Sequence, residues 1–214
     1  MTGRQMWELV RERHPGAGET HTMILLNNAL TEFHKKTATL WKTVELSPDS
    51  VTAIADLPTD LIAIRGLFYD PSTDPTSEFA DAVKGHKRVY KLGTRQEEIS
   101  ESVTTPIYFR IAKRKVKVGT TGSDGTITPL GEGVVTLEYS YWEAPITIAQ
   151  TPELDSTYHE AIVYRVCEGM YRGQEQVGDR TYCFARWKEA IREARADANV
   201  EDDDEEWNVR LHEI

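Results

Sequence analysis

Along the first forty residues, apolar positions recur at steps of three and four. Met6, Leu9, Val10 and Arg13 mark a short amphipathic helix that Pro15-Gly16 stops. Thr20 or Thr22 is placed to cap a second, longer helix. Its face reads Met23, Leu26, Leu30, Phe33, Thr37 and Leu40, and it ends near Trp41. The period then changes. "KTVEL" alternates as a strand does, and "DLIAIRGLFYD", Asp60 to Asp70, is β-branched and aromatic between Pro58 and Pro71. "PIYFRIAKRKVKV", Pro106 to Val118, holds two short strands or one bent one. "TGSDG", Thr121 to Gly125, carries a hairpin-turn signal, and "GVVTLEYSYWEAP" is a further strand. The polar, weakly periodic stretch Thr76 to Val103 reads as short helix and loop.

Helical spacing returns after Pro152. Thr157 and Glu160 have the spacing of a capping box. Tyr158, Ile162, Val166 and Met170 follow as an apolar face, "GQEQVGD" is a turn, and Phe184, Trp187, Ile191 and Ala194 line a final helix. The order helices, strands, helices predicts an α+β protein. Its helical bundle is built from the two terminal segments, residues 1–42 and 149–198, with a β-rich domain at 43–148 inserted between them. An acidic tail, 199–214, closes the chain.

Composition narrows the field. The 214 residues suffice for a real core, and 39% hydrophobic with 28% charged content is that of a globular chain. No apolar run approaches the roughly 20 residues of a membrane span. "MTGRQMWELVRERHP" has no signal-peptide hydrophobic region, so synthesis and retention in a cytosol are expected. Cys167 and Cys183 fall in helical sequence and read as buried free thiols rather than a disulfide framework. The net charge of −10 argues against broad phosphate-backbone binding. Six of the 35 acids stand together at Glu201 to Glu206, which leaves about −4 on the rest by charge counting.

Candidate chemistry is sparse. His14, His21, His34, His86, His159 and His212 show no metal-ligand spacing, and His34 and His159 read as solvent-facing or hydrogen-bonded. Cys167 lacks a CxxC partner, and no nucleophile elbow or phosphate loop occurs, so neither catalysis nor a cofactor is expected. One cluster is basic: Arg110, Lys113, Arg114, Lys115 and Lys117, with "HKRVYK" at His86 to Lys91 a weaker second. On a continuous strand Lys113, Lys115 and Lys117 share one face, opposite Arg114, Val116 and Val118. Such a face suits contact with an anionic partner, and equally an edge strand guarded by lysines. Tyr139, Tyr141 and Trp142 form a binding stripe, sheet core or an oligomer interface. In the tail, Trp207, Val209, Leu211 and Ile214 give apolar anchors among acids including Asp202, Asp203 and Asp204. That pattern suits an extended segment docking on another chain's sheet as well as it suits disorder.

Taken in order, these pieces resemble the head-to-tail adaptor proteins of tailed bacteriophages. "MILLNNALTEFHKKTATLW" resembles their first long helix. Leu57, Pro58, Thr59 and Asp60 in "IADLPTDLIAIRGLFYD" are similar to their lead-in to a core strand. "TTPIYFRIAKRKVKV", "VVTLEYSYWEAPIT" and "TPELDSTYHEAIVYRVCEGMYR" resemble the strand pair, the closing strand and the helix opening that follow. The likeness covers most of Met23 to Ala198; the long middle segment from Thr76 to Val103 and the acidic tail depart from it. It implies a non-enzymatic virion component at the head–tail junction, assembled in the host cytoplasm. Such proteins form a ring, commonly twelve-fold, beneath the portal protein and meet tail or nozzle proteins below, while DNA passes through the channel. On that reading the tail residues dock on the portal, and the basic cluster meets acids of a neighbouring subunit or a tail protein. Two other classes stay open: a nucleic-acid-binding accessory protein using residues 110–117, and a small-molecule enzyme on an uncommon α+β fold.

Overall fold

The amphipathic repeats at both ends of the chain form four helices. The first, α1 (Gly3–Arg13), opens with a complete capping box. The Thr2 hydroxyl accepts from the Gln5 N–H while the Gln5 side chain accepts from the Thr2 N–H. The second, α2 (Glu19–Thr37), starts at Gly18 rather than at a threonine. Its Thr22 hydroxyl bonds back to the Gly18 carbonyl, and the helix stops at Ala38, whose φ of 53° reverses the chain before Trp41. A 3-10 turn at Ser156–Tyr158, capped by Asp155 accepting the Thr157 N–H, runs straight into α3 (His159–Met170), which has no side-chain cap from Thr157 or any other residue. Helix α4 (Val177–Val200) begins inside the stretch expected to be a turn.

This computed structural model describes residues 1–70, 87–91, 107–121, 126–130, 134–172, 176–200 and 209–210. The chain divides into two units, one made of Met1–Trp41 with Ser140–Glu206 and the other of Lys42–Tyr139 with Trp207–Ile214. The first unit is helical. Met6 and Val10 of α1, Leu26, Leu30 and Phe33 of α2, and Ile162, Val166 and Cys167 of α3 pack with Trp187 and Ala194 of α4 in one core. On α4 the buried stripe is Cys183, Trp187, Ile191 and Ala194. Phe184 turns outward, 40% exposed, under the Lys188 ammonium.

The second unit is a sheet of β1 (Trp41–Leu46), β2 (Ile54–Asp56), β3 (Leu61–Asp70), β4 (Lys87–Lys91), β5 (Ile107–Ala112), β6 (Lys115–Thr121), β7 (Ile127–Pro129), β8 (Val134–Tyr141) and β9 (Val209–Arg210). The order across it is β1-β8-β3-β4-β5-β6-β2, with β7 on β6 and β9 on β3. The start of β3 is buried residue after residue, Leu61, Ile62, Ala63 and Ile64, as a central strand covered on both faces requires. Strand β4 falls in the stretch read as short helix and loop. It runs parallel to β5, with Val89 opposite Ile107 and Lys91 opposite Phe109. The remainder of Thr76 to Val103 lies outside the described residues. Strands β6 and β7 pair antiparallel, so the chain reverses between them; residues 122–125 of the expected turn also lie outside. At Gly119 an added Cβ would sit 1.9 Å from the Thr128 carbonyl oxygen, so only glycine lets β7 approach this closely.

Candidate interaction surfaces

The basic cluster is a hairpin, not one strand. β5 and β6 pair from Ile107 opposite Thr120 to Ala112 opposite Lys115, which leaves Lys113 and Arg114 as a two-residue turn. Both have positive φ, 50° and 60°, the geometry of a type I′ hairpin. Neither is the Gly, Asn or Asp that such a turn prefers, which is why its position was not legible. The face expected from Lys113, Lys115 and Lys117 is therefore corrected: Lys113 sits at the tip. Val116 and Val118 point with Ile107 and Phe109 into the core, and Lys115 and Lys117 share the opposite face with Arg110.

Charge on that face is unevenly matched. Arg110 lies directly across from Lys117, a like-charge pair that destabilises a sheet. Lys115 reaches the Asp56 carboxylate at 3.4 Å, with both side chains largely exposed. Among the described residues, Arg110, Lys113 and Lys117 make no ion pair. The Arg114 guanidinium instead donates to the carbonyls of Pro58 and Thr59 at 2.8 and 2.9 Å, fixing the turn that leads into β3.

The tail shows a different arrangement. Val209 and Arg210 pair antiparallel with Ile64 and Ala63 of β3. Trp207, Leu211, Ile214, Asp202, Asp203 and Asp204 lie outside the described residues.

The helical unit holds a charged cluster of its own. Glu168 on α3 is 2% exposed and accepts from Arg165 at 2.6 Å, from Arg172 at 3.1 and 3.2 Å, and from Arg180 of α4 at 3.3 Å. Burial alone would raise its pKa. Hydrogen bonds from Arg172 and Arg180, with the nearby Arg165 charge, outweigh that and hold the carboxyl below its usual range. Arg165 also donates to Glu32 of α2 at 2.8 Å, and Glu32 pairs with Lys36. Beside this cluster a cleft of about 160 Å³ runs between α2 and α3, lined by Leu25, Ala29, Glu32, Arg165, Gly169 and Arg172.

The two helical histidines are buried and hydrogen-bonded rather than solvent-facing. His34 Nε2 lies 3.0 Å from Glu143, whose other oxygen accepts the Glu153 N–H. His159 Nε2 bonds the Leu154 carbonyl at 2.8 Å. Cys167 and Cys183 are buried free thiols, and burial pushes the Cys167 thiol up to about 12. Among the described residues no helix is long and apolar enough to cross a membrane.

Residues 16–212 match the family of the SU10 adaptor protein, a phage head-to-tail adaptor. The chain belongs to that family. No curated protein matches the chain significantly. The adaptor is a structural bacteriophage protein, and its family places it between head and tail, at the virion neck, in a role that is not enzymatic.

Within the adaptor, the fold brings Arg110, Lys115 and Lys117 to one face and sets Lys113 at its rim. Of the aromatic stripe, Tyr139 is sheet core with its hydroxyl on Asp60, Tyr141 is half-buried with its hydroxyl on Glu153, and Trp142 lies under Lys35. Sequence reasoning missed the Glu168 cluster. Arg165, Glu168 and Arg172 do stand at helical steps of three and four, a spacing that announces side-chain contact. Nothing local announces that Glu168 is buried or that Arg180 and Glu32 reach the same cluster from other helices.

Proposed function

We propose that the adaptor forms a ring beneath the portal protein, twelve-fold as the resemblance implies. It closes the DNA-filled head and gives tail or nozzle proteins their platform. Family membership over residues 16–212 is the observation that carries this reading. The charge of the chain supports it: at −10, an acidic channel wall does not grip passing DNA as a basic one would, so DNA moves without sequence-specific binding. A ring repeats one heterologous contact until it closes. In this reading Arg110, Lys113, Lys115 and Lys117 meet acids of a neighbouring subunit or a tail protein, with Arg114 bracing the hairpin behind them. The opposed Arg110 and Lys117 favour it, because an unfavourable pair in the monomer is relieved when an anionic surface covers both. The tail, with Trp207, Val209, Leu211 and Ile214 as anchors and Asp202, Asp203 and Asp204 setting the approach, docks on the portal. Assembly takes place in the host cytoplasm.

The test mixes the full chain, and a chain ending at Ala198, with isolated cognate portal rings at physiological salt. Complexes are read by sedimentation and electron microscopy. The full chain should decorate the portal as a closed ring, and the truncated chain should stay folded yet fail to bind. A full chain that stays off the portal overturns the ring. A truncated chain that binds normally removes the tail as anchor.

A further inference from the structure

Strand β3 is ten residues long, and β4 meets it only towards its end, at Phe68 and Tyr69. Earlier along the strand, the backbone at Ala63 and Ile64 is paired by Val209 and Arg210, the chain's own C-terminal segment. We infer that this stretch of β3 is a strand-accepting site that stores the docking tail in the free subunit, so that a partner must displace the tail before the tail can anchor. This inference rests on the portal-docking reading.

Three features carry it. The tail edge that pairs with β3 is not free for another ladder, so a partner strand that takes that same edge must displace the tail from β3. Among the described residues the pairing spans two, Val209 and Arg210, against a ten-residue strand, which makes it short enough to compete away. Helix α4 ends at Val200, and the segment 201–208 that precedes β9 carries six acids. Eight residues extend to at most about 26–29 Å, so a released tail has reach without unwinding the helix. Storage also serves the monomer. An unpaired stretch of strand edge is an aggregation hazard, and Val209 and Arg210 cover that edge at Ile64 and Ala63. Ala63 and Ile64, at 2% and 3% exposure, sit in the buried half of β3, so Val209 and Arg210 pair with an enclosed strand.

The test locks the pair. Ala63→Cys with Arg210→Cys places two thiols at directly opposed positions; Ile64→Cys with Val209→Cys is a second pair in the same register, used if the first fails to fold. The native Cys167 and Cys183 are buried and stay out of the reaction. Each full-length variant is oxidised, its cross-link located by mass spectrometry, its fold checked by circular dichroism, and its binding to portal rings measured before and after reduction. The expected result is an intramolecular disulfide, at least tenfold weaker portal binding when oxidised, and wild-type binding when reduced. An oxidised form that binds as tightly as the reduced one overturns the inference while leaving portal docking standing. Cross-links between monomers, or none within them, also overturn it, because the tail then does not rest on its own β3. If wild-type and reduced protein both fail to bind, the portal-docking reading fails and the inference falls with it.

Discussion

Replacing Glu168 by Gln removes the carboxylate that Arg165, Arg172 and Arg180 share, while keeping its volume. Four hydrogen bonds of 2.6 to 3.3 Å end on that group, which lies at the corner where α3 hands over to α4. A hydrogen bond to a charged group nets roughly 1.5–3 kcal/mol. Arg172 and Arg180 are about half exposed, at 57% and 48%, so most of their share is lost to solvent screening. Arg165, at 22%, is better sheltered. Breaking a buried charge cluster from one side typically costs 3–5 kcal/mol. With the screening taken into account, about 3 kcal/mol is expected here, at the low end of that range. For a chain of this length each kcal/mol moves Tm by roughly 2–4 °C, so Glu168→Gln should melt about 6–12 °C lower. The pH dependence supplies a check that packing alone would not. The folded pKa of Glu168 lies below its ordinary 4.5. The stabilisation is therefore present above that value and is lost as pH falls through the folded pKa. Wild type and Glu168→Gln should differ fully at pH 7, and the gap should narrow as pH falls below 4.5. Thermal melts followed by circular dichroism from pH 3 to 7 read both effects. A variant melting within 1–2 °C of wild type at pH 7, about the shift that a ~0.5 kcal/mol change produces, would refute the electrostatic account. So would a gap that does not narrow in acid.

Other measurements probe the rest of the molecule. Lys117→Glu turns the opposed Arg110 pair favourable and should stabilise the monomer by about 0.2–1 kcal/mol while weakening assembly on the portal; improved assembly in native gels would argue against the basic face as a contact. Gly119→Ala forces a methyl group against the Thr128 carbonyl and should cost more than about 2 kcal/mol in urea unfolding, since strain of this kind belongs among the large mutational effects. Lys113→Asn should stabilise by a few tenths to about 1 kcal/mol, because Asn tolerates the positive φ that Lys113 is held in. Burial holds the His159 imidazole below its ordinary 6.5. The unfolded chain then takes up the proton first, and stability should decline as pH falls below 6.5; His159→Gln should flatten that part of the melting curve. Cys167 should react with a disulfide reagent only after unfolding, since its thiol is buried and pushed up to about 12.

Local pattern set the helices and the most regular strands, because each long repeat has one dry face and therefore one period. Met6 and Val10, Leu26, Leu30, Phe33 and Thr37 of the α2 face, and Tyr158, Ile162 and Val166 of the α3 face are buried as their spacing required, while Met23 and Met170 are half-buried and Leu40 lies beyond α2. Contacts between distant segments were not legible. Phe184 lost its expected place to Cys183 one residue earlier, because only the packing of α4 decides which side of a broad apolar stripe is covered. β4 and β2 are too short to declare a period, and β4 is held by a parallel pairing with β5 that no neighbouring residue encodes. The Lys113-Arg114 turn carries no Gly or Asn, so its position follows from the β5–β6 register rather than from local propensity. Glu168 announced a partner four residues away. Its burial, and the arrival of Arg180 and Glu32, came from helices folding together. Likewise nothing local names a mate for Val209 and Arg210: pairing with β3 is chosen by backbone groups that every residue carries, and so it leaves no mark in the sequence.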